Sequence, residues 1–296
     1  YNDYPYSYIK ISDGCSNNCS YCAIPLIRGP LQNFQPDHIL EDARECVRQG
    51  ALELNIIAQD ITSYNYKGLE LPGLIKSVSA IEDLRWIRLL YCHPDKVTDE
   101  IIGIFTENSK VVPYIDIPFQ HVSERILASM GRKGSSEIYA ALVSRLRGEM
   151  PSIRIRTTLM TGYPGETESE FREMMDFLRA CRLDRVGCFT YSPEEDTRAA
   201  MLEDSVPDEE KIARYDALMD IQKSISMEKM KEMTGQELDV LVEEQVDDST
   251  YIGRTRFDAP EVDGVFYLTA KVNPVNRIIR ARVTDSIEYD LIGEML

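Results

Sequence analysis

Apolar positions recur in two alternating rhythms over the first two thirds of the chain. Residues 8–11, 54–58, 86–90, 114–117, 153–161 and 186–191 form short, largely apolar runs, the pattern of strands buried on both faces. Between them lie helical patterns. Residues 36–49 place Ile39, Leu40, Ala43, Cys46 and Val47 on one face, and Gly50 closes the segment. Residues 71–81, 101–107, 123–130, 135–149 and 168–181 repeat that spacing. Six β/α units in a row predict an α/β fold, with a parallel sheet covered by helices and either open or rolled into a partial barrel. A long helical pattern follows over 207–233, and Gly235 breaks it. The rhythm then changes. Residues 237–242, 250–256, 265–270, 278–283 and 289–292 read as five short strands joined by Asp, Gly, Pro and Asn turns, the signature of a small all-β barrel. The expected boundary lies near Thr234, giving domains 1–233 and 234–296.

Composition narrows the classes. Of 296 residues, 33 are Lys or Arg and 50 Asp or Glu, a net charge of −17. A surface this acidic is poorly suited to neutralising phosphates and better suited to a basic protein partner. No apolar run reaches the ~18 residues of a membrane span, and no secretory leader is expected before the first strand. The seven cysteines are odd in number and unevenly spaced, which argues against a disulfide framework and for a reduced, cytoplasmic compartment.

Three cysteines carry the candidate chemistry. Cys15-Ser-Asn-Asn-Cys19-Ser-Tyr-Cys22 follows the first strand directly. Three thiolates at this spacing can ligate three corners of a [4Fe–4S] cluster and leave the fourth iron open. Structural zinc is the alternative, but it takes four ligands in paired spacing and no second pair exists; unliganded cysteines are the third reading. The loop sits where β/α folds place their sites, at the carboxyl ends of strands. Gln59 and Asp60, His93, Gln120 and His121, Gly162–Glu166 and Tyr191 follow other strands at the same end. Each also has a structural reading: Gln59 and Gln120 as turn residues, His121 as a cap of the helix at Ser123, and the Gly162 turn as a strand-to-helix connection. Arg156 is a charge inside an apolar strand, so it should have an anionic partner, either a ligand carboxylate or a protein carboxylate. Cys46, Cys92, Cys181 and Cys188 read as core.

These features together resemble the radical S-adenosylmethionine (SAM) enzymes. Ala58-Gln-Asp-Ile-Thr-Ser-Tyr64, Pro118-Phe-Gln-His121, Gly162-Tyr-Pro-Gly-Glu-Thr167 and the closing β-barrel resemble their methylthiotransferase branch, in which that barrel is called a TRAM domain. The resemblance implies a partial (β/α)6 TIM-like barrel followed by a five-stranded TRAM barrel. It implies a cluster held by Cys15, Cys19 and Cys22, with SAM on the open iron, cleaved to a 5′-deoxyadenosyl radical. Tyr21, Gln59, Asp60, Gln120, Arg156, Gly162 and Tyr191 become the candidates to surround SAM. The segment 251–264 is similar to the members that modify an aspartate of small-subunit ribosomal protein twelve; the alternative substrate in this branch is a tRNA adenosine. Charge favours the protein substrate. From Gly235 onward there are thirteen Asp or Glu and six Lys or Arg, and Asp258, Glu261 and Asp263 cluster beside Arg254 and Arg256 as an expected docking surface. An electron donor is a further expected partner, and no general base is assigned.

The chain departs from the branch in two places. Family members carry a second [4Fe–4S] cluster on an N-terminal domain, whereas this chain begins fourteen residues before Cys15. The expectation is that this piece alone does not complete methylthiolation. The run Gln32-Asn-Phe-Gln-Pro36 replaces the usual Ser-Arg-Pro, removing that arginine's contact.

Overall fold

A computed structural model describes residues 4–203 and 205–296. The first three residues of the expected first domain lie outside the described residues. Six parallel strands form one sheet: β1 (Tyr6–Lys10), β2 (Glu53–Ile57), β3 (Trp86–Leu89), β4 (Val111–Asp116), β5 (Arg154–Thr161) and β6 (Arg185–Thr190). They are paired in sequence order, with β1 and β6 at the two edges. This is the arrangement of an incompletely closed (β/α)6 barrel. Helices α1 (Ile24–Arg28), α2 (Pro36–Arg48), α3 (Leu71–Ser79), α4 (Asp99–Glu107), α5 (Glu124–Ser129), α6 (Ser136–Glu149), α7 (Glu168–Cys181) and α8 (Asp208–Lys231) connect or follow the strands. The periodicity reading lacked α1, which is only five residues long and starts with a proline in its first turn.

The strands are two-sided, and the two sides differ in chemistry. Leu54 and Ile56 on β2, Ile87 and Leu89 on β3, Ile115 on β4, and Ile155 and Leu159 on β5 point outward and pack with the helices in the main core. The alternate positions point inward and are largely polar: Glu53 and Asn55, Arg88, Tyr114 and Asp116, Arg156 and Thr158, Arg185 and Gly187. A polar barrel interior is stable only when each group finds a partner.

The C-terminal barrel supplies many of those partners. Strands β7 (Glu237–Gln245), β8 (Thr250–Thr255), β9 (Phe266–Thr269), β10 (Arg277–Ser286) and β11 (Leu291–Met295) close into a five-stranded barrel in the order β7-β8-β9-β11-β10. Its own core contains Val240, Val242, Phe266, Leu268 and Val283. The end of β8 and the loop after it face the first and middle inward positions of the parallel strands. Fully buried Glu53 takes Arg88 on one oxygen and Arg254 on the other, each at 2.7 Å. Arg254 also pairs with Glu243 at 2.6 Å and donates to the Asp258 carbonyl. Arg88 donates to the Arg256 carbonyl at 3.1 Å and lies over the Tyr114 ring. Burial alone would raise the Glu53 carboxyl; Arg254 and Arg88 hold it below its usual range instead.

This arrangement corrects the reading of the acidic cluster. Asp258 is buried and pairs with Arg185 at 2.5 Å. Asp263 accepts from the Tyr114 hydroxyl at 2.6 Å and lies 3.6 Å from Arg156. Glu261 is exposed but accepts from both Tyr6 and Tyr8. Arg254, expected at a docking surface, is only 1% exposed. The cluster binds the parallel barrel rather than a second protein, because its cationic and phenolic partners come from strands 73 to 255 residues away.

Arg254→Leu is expected to leave buried Glu53 and partly buried Glu243 short of a partner and to cost about 3–5 kcal/mol of stability, the usual penalty for breaking a buried ion pair on one side. Urea unfolding of both proteins measures it. A cost under about 1 kcal/mol, the range of an exposed pair, would mean that the two barrels do not depend on this contact.

Candidate functional site

The cysteine loop leaves β1 at its carboxyl end and is held tightly on both sides. Gly14 takes φ +68°, and a Cβ there would fall 2.4 Å from the Pro30 carbonyl oxygen, so this close approach requires glycine. The Cys15 amide donates to Gly29 O at 3.2 Å, and the Ser20 amide to Met130 O at 2.8 Å. Ala199 donates back to Ser20 O, and the Arg198 guanidinium reaches Asn18 O. The two-residue pair Ser12–Asp13 with Gln32–Asn33 closes the base of the loop. The departing Gln32 run thus has a structural role here.

Cys15, Cys19 and Cys22 all line one cavity of about 440 Å³ at the carboxyl ends of the strands. Burial pushes the Cys15 and Cys22 thiols up. In a cluster each thiolate meets a different iron, so three sulfurs spread along one loop suit it, whereas structural zinc takes four ligands in paired spacing. The donor set therefore fits: three soft sulfurs on one short, braced loop facing one cavity.

Of the other candidates, Tyr21, Gln59, Asp60 and Gln120 also line this cavity. Gln59 Oε1 is buried and has no hydrogen-bond donor among the described residues. Gln120 has φ +72° and is fixed by two backbone bonds to β5, from its amide to Thr158 O and from Met160 N to its carbonyl. Asp60 is buried and heavily engaged: it accepts from Lys96 at 2.7 Å, Asn17 at 2.9 Å and Ser63 at 2.6 Å, and also from Thr62. Burial alone would raise its carboxyl, but these donors bring it down to about 2. It braces the cysteine loop through Asn17 more than it offers a free ligand.

Three candidates lie elsewhere. Arg156 points inward from β5 below the cavity, 3.4 Å from Asp116 and 3.6 Å from Asp263, so its partners are protein carboxylates. Gly162 packs against α8, where a Cβ would fall 2.1 Å from Lys211 Cγ, and its amide donates to Glu166. Tyr191 is buried beside Tyr163, with ring centroids 5.5 Å apart. Neither Gly162 nor Tyr191 lines the cavity. Both follow strand ends, but the chain there turns outward beneath α8. His121 sits just beyond the cavity wall: Nδ1 accepts from Ser123 N at 2.9 Å, and Nε2 lies 3.4 Å from Glu166. The helix cap itself is Ser123, which accepts from Ile126 N.

The sequence reading missed Arg132, Thr158, Tyr91 and Phe189, all of which line the cavity. Arg132 follows α5 in the run Gly131-Arg-Lys-Gly134, two basic residues between glycines at positive φ. That signal was available. Thr158 and Phe189 had none, because their inward direction depends on strand register. His93 also lines the cavity, and burial together with Arg132 pushes its imidazole down to about 4. Cys92, Cys181 and Cys188 are buried and Cys46 packs against the core, as expected of structural cysteines.

Comparison with known proteins places these features in a group. Residues 9–178 match the Radical SAM superfamily and residues 234–296 match the TRAM domain. Over 98% of its length the chain is 42% identical to the ribosomal protein uS12 methylthiotransferase RimO of Desulfitobacterium hafniense. Over the same share it is 45% identical to the protein of that name from Caldanaerobacter subterraneus. The chain spans 66% and 67% of those two relatives. Among solved structures, coproporphyrinogen III oxidase (HemN) from Escherichia coli, a radical SAM enzyme, superposes with a TM-score of 0.57 at 14% identity. That match covers 78% of this chain and 55% of the other and shows a shared fold.

The Asp60 network has a pH signature. Its folded carboxyl titrates near 2 rather than at the ordinary 3.8. A depressed acid stabilises the fold above the unfolded value and loses that contribution as pH falls from about 4 through about 2. At about 1.4 kcal/mol per unit, Asp60→Asn should cost on the order of 2 kcal/mol at pH 6 and much less at pH 2.5. Urea unfolding at both values tests this, and a cost independent of pH would contradict it.

Proposed function

The chain belongs to the radical SAM superfamily, and within it to the uS12 methylthiotransferase family, and from that premise we propose that it carries the SAM-cleaving half of a protein methylthiotransferase. Its substrate is an aspartate of ribosomal protein uS12, which gains a methylthio group on its β-carbon. The observation that supports this most is that Cys15, Cys19 and Cys22 share one cavity in a chain over 40% identical to proteins of that name.

In this reading Cys15, Cys19 and Cys22 hold a [4Fe–4S] cluster. A cluster held by these three cysteines would supply the electron for reductive cleavage of SAM, and with it the hydrogen-abstracting chemistry at the substrate carbon. The chain's own residues do the positioning. Gln59 lines the cavity, and its Oε1, buried without a donor among the described residues, suits a ligand amino group once the side chain turns toward it. Gln120 and Thr158 offer polar contacts on the adjoining wall, while Tyr91 and Phe189, each about half exposed, form an apolar rim that narrows water access. The Asp60–Lys96–Asn17 network holds the cysteine loop against the strand ends. We place the two functional units at 1–233 and 234–296. A ribosomal substrate places the reaction in the cytoplasm; among the described residues no helix is long and apolar enough to cross a membrane.

Anaerobic reconstitution should load about four irons per chain with matching sulfide, and dithionite should then drive SAM cleavage. Cys19→Ala should lose iron and cleavage together, whereas Cys46→Ala should keep both. Gly14→Ala should also lose iron, because the loop can no longer approach Pro30. A full cluster in Cys19→Ala would overturn the ligand assignment. Side-by-side binding of uS12 and tRNA by the reconstituted chain decides the substrate, and tighter binding of tRNA would reverse it.

A further inference from the structure

Arg132 is the one charged group lining the cluster cavity that has no ionic partner among the described residues. It is 7% exposed. Its Nη2 donates to the Pro118 carbonyl at 2.7 Å, and its Nη1 donates to the Tyr21 hydroxyl at 3.3 Å and lies 4.0 Å from Cys19 Sγ. Its Nε is buried without an acceptor among the described residues. The other charges around the cavity are matched. Asp60 pairs with Lys96 at 2.7 Å and Lys10 with Asp13 at 2.8 Å. His93 stays neutral through the physiological range, pushed down by burial and by Arg132 itself.

A lone buried guanidinium is costly unless something anionic lies against it. The nearest anionic candidate is the Cys19 sulfur, one of the three proposed cluster ligands. A [4Fe–4S] core with three thiolates is anionic, and reduction adds one more negative charge. Resting on the proposed cluster assignment, we infer that Arg132 is the countercharge of that cluster: a cation held against Cys19 that favours the reduced state and so raises the reduction potential. Hydrogen bonds and charge near cluster sulfurs are among the factors that set such potentials. The anchoring is rigid. Pro118 O and Tyr21 fix two arms of the guanidinium, and Gly131, with φ +72° and a Cβ position 2.6 Å from Asn18 O, lets the segment press against the cysteine loop.

The test is a redox titration followed by electron paramagnetic resonance on the reconstituted chain, without SAM. Arg132→Met should keep its iron and become harder to reduce, with about a tenfold lower equilibrium constant, equivalent to about 59 mV for one electron. Arg132→Lys, which keeps the charge, should recover most of the shift. Arg132→Gln is measured alongside in case methionine disturbs packing, with the same shift expected. An iron-replete neutral variant with the wild-type midpoint overturns the inference. Weakened SAM binding at an unchanged midpoint also overturns it, and assigns Arg132 to the SAM carboxylate instead. If the wild-type chain itself takes up no cluster, the underlying assignment fails; a failure confined to the midpoints of the variants leaves that assignment standing.

Discussion

The structure depends on balancing charge inside a barrel that is not filled with hydrocarbon. Glu53, Arg88 and Arg254 are each at most 1% exposed, and the carboxylate is shared between two guanidinium groups from different barrels. None of the three is tolerable alone in that setting. Once Arg254 must reach Glu53, the end of β8 has to enter the parallel barrel. Asp258 and Asp263 then meet Arg185 and Arg156 inside it. The cysteine cavity lies beyond this network, at the carboxyl ends of the strands. The division of the interior into an ionic half and a half with cysteines follows from that first pairing.

Register along the strands turns this division into chemistry. On β5, Arg156 belongs to the ionic half, and Thr158, two residues on, lines the cavity. On β6, Gly187 and Phe189 show the same step. Asp116 joins the two halves. Its carboxylate lies near Arg156 on one side and accepts the Tyr91 amide on the other, and Tyr91 is at the cavity rim with φ +67°. The C-terminal barrel is therefore in contact, through Asp263, Arg156 and Asp116, with the backbone of a residue beside the candidate site.

Much of this was legible in the sequence. Continuous apolar runs and helical spacing locate all six parallel strands and the major helices, because those patterns reflect packing on the outer face of the sheet. The five short strands after Gly235 are legible for the same reason. The cysteine loop is legible because its ligands are local. What could not be read depends on partners far apart in the chain. Asp258 and Asp263 look like a solvated acidic turn until β5 and β6 bring arginines to them. Arg156 was correctly expected to need an anion, but sequence does not distinguish a protein carboxylate from a ligand. Gly162 and Tyr191 shared the right end of the sheet with the site, but α8 covers them. Arg132 carried a local signal that went unread, since a basic residue between glycines after a short helix is usually only a turn.

The Glu53–Arg254 pair joins positions 201 residues apart. Contacts of that separation form late, because the closure entropy of the intervening chain must be met first. During synthesis β2 leaves the ribosome long before β8. Through that interval Glu53 and Arg88, and Arg156 and Asp116, have one another but not the segment that completes them, and Arg185 lacks its Asp258 partner. The nascent parallel barrel is thus an open shell with an under-satisfied interior, a state in which misassembly and capture by chaperones compete with folding. The last sixty or so residues complete the folding of the first half as well as their own, so a stop codon or slow translation near the C-terminus would be felt at the opposite end of the molecule.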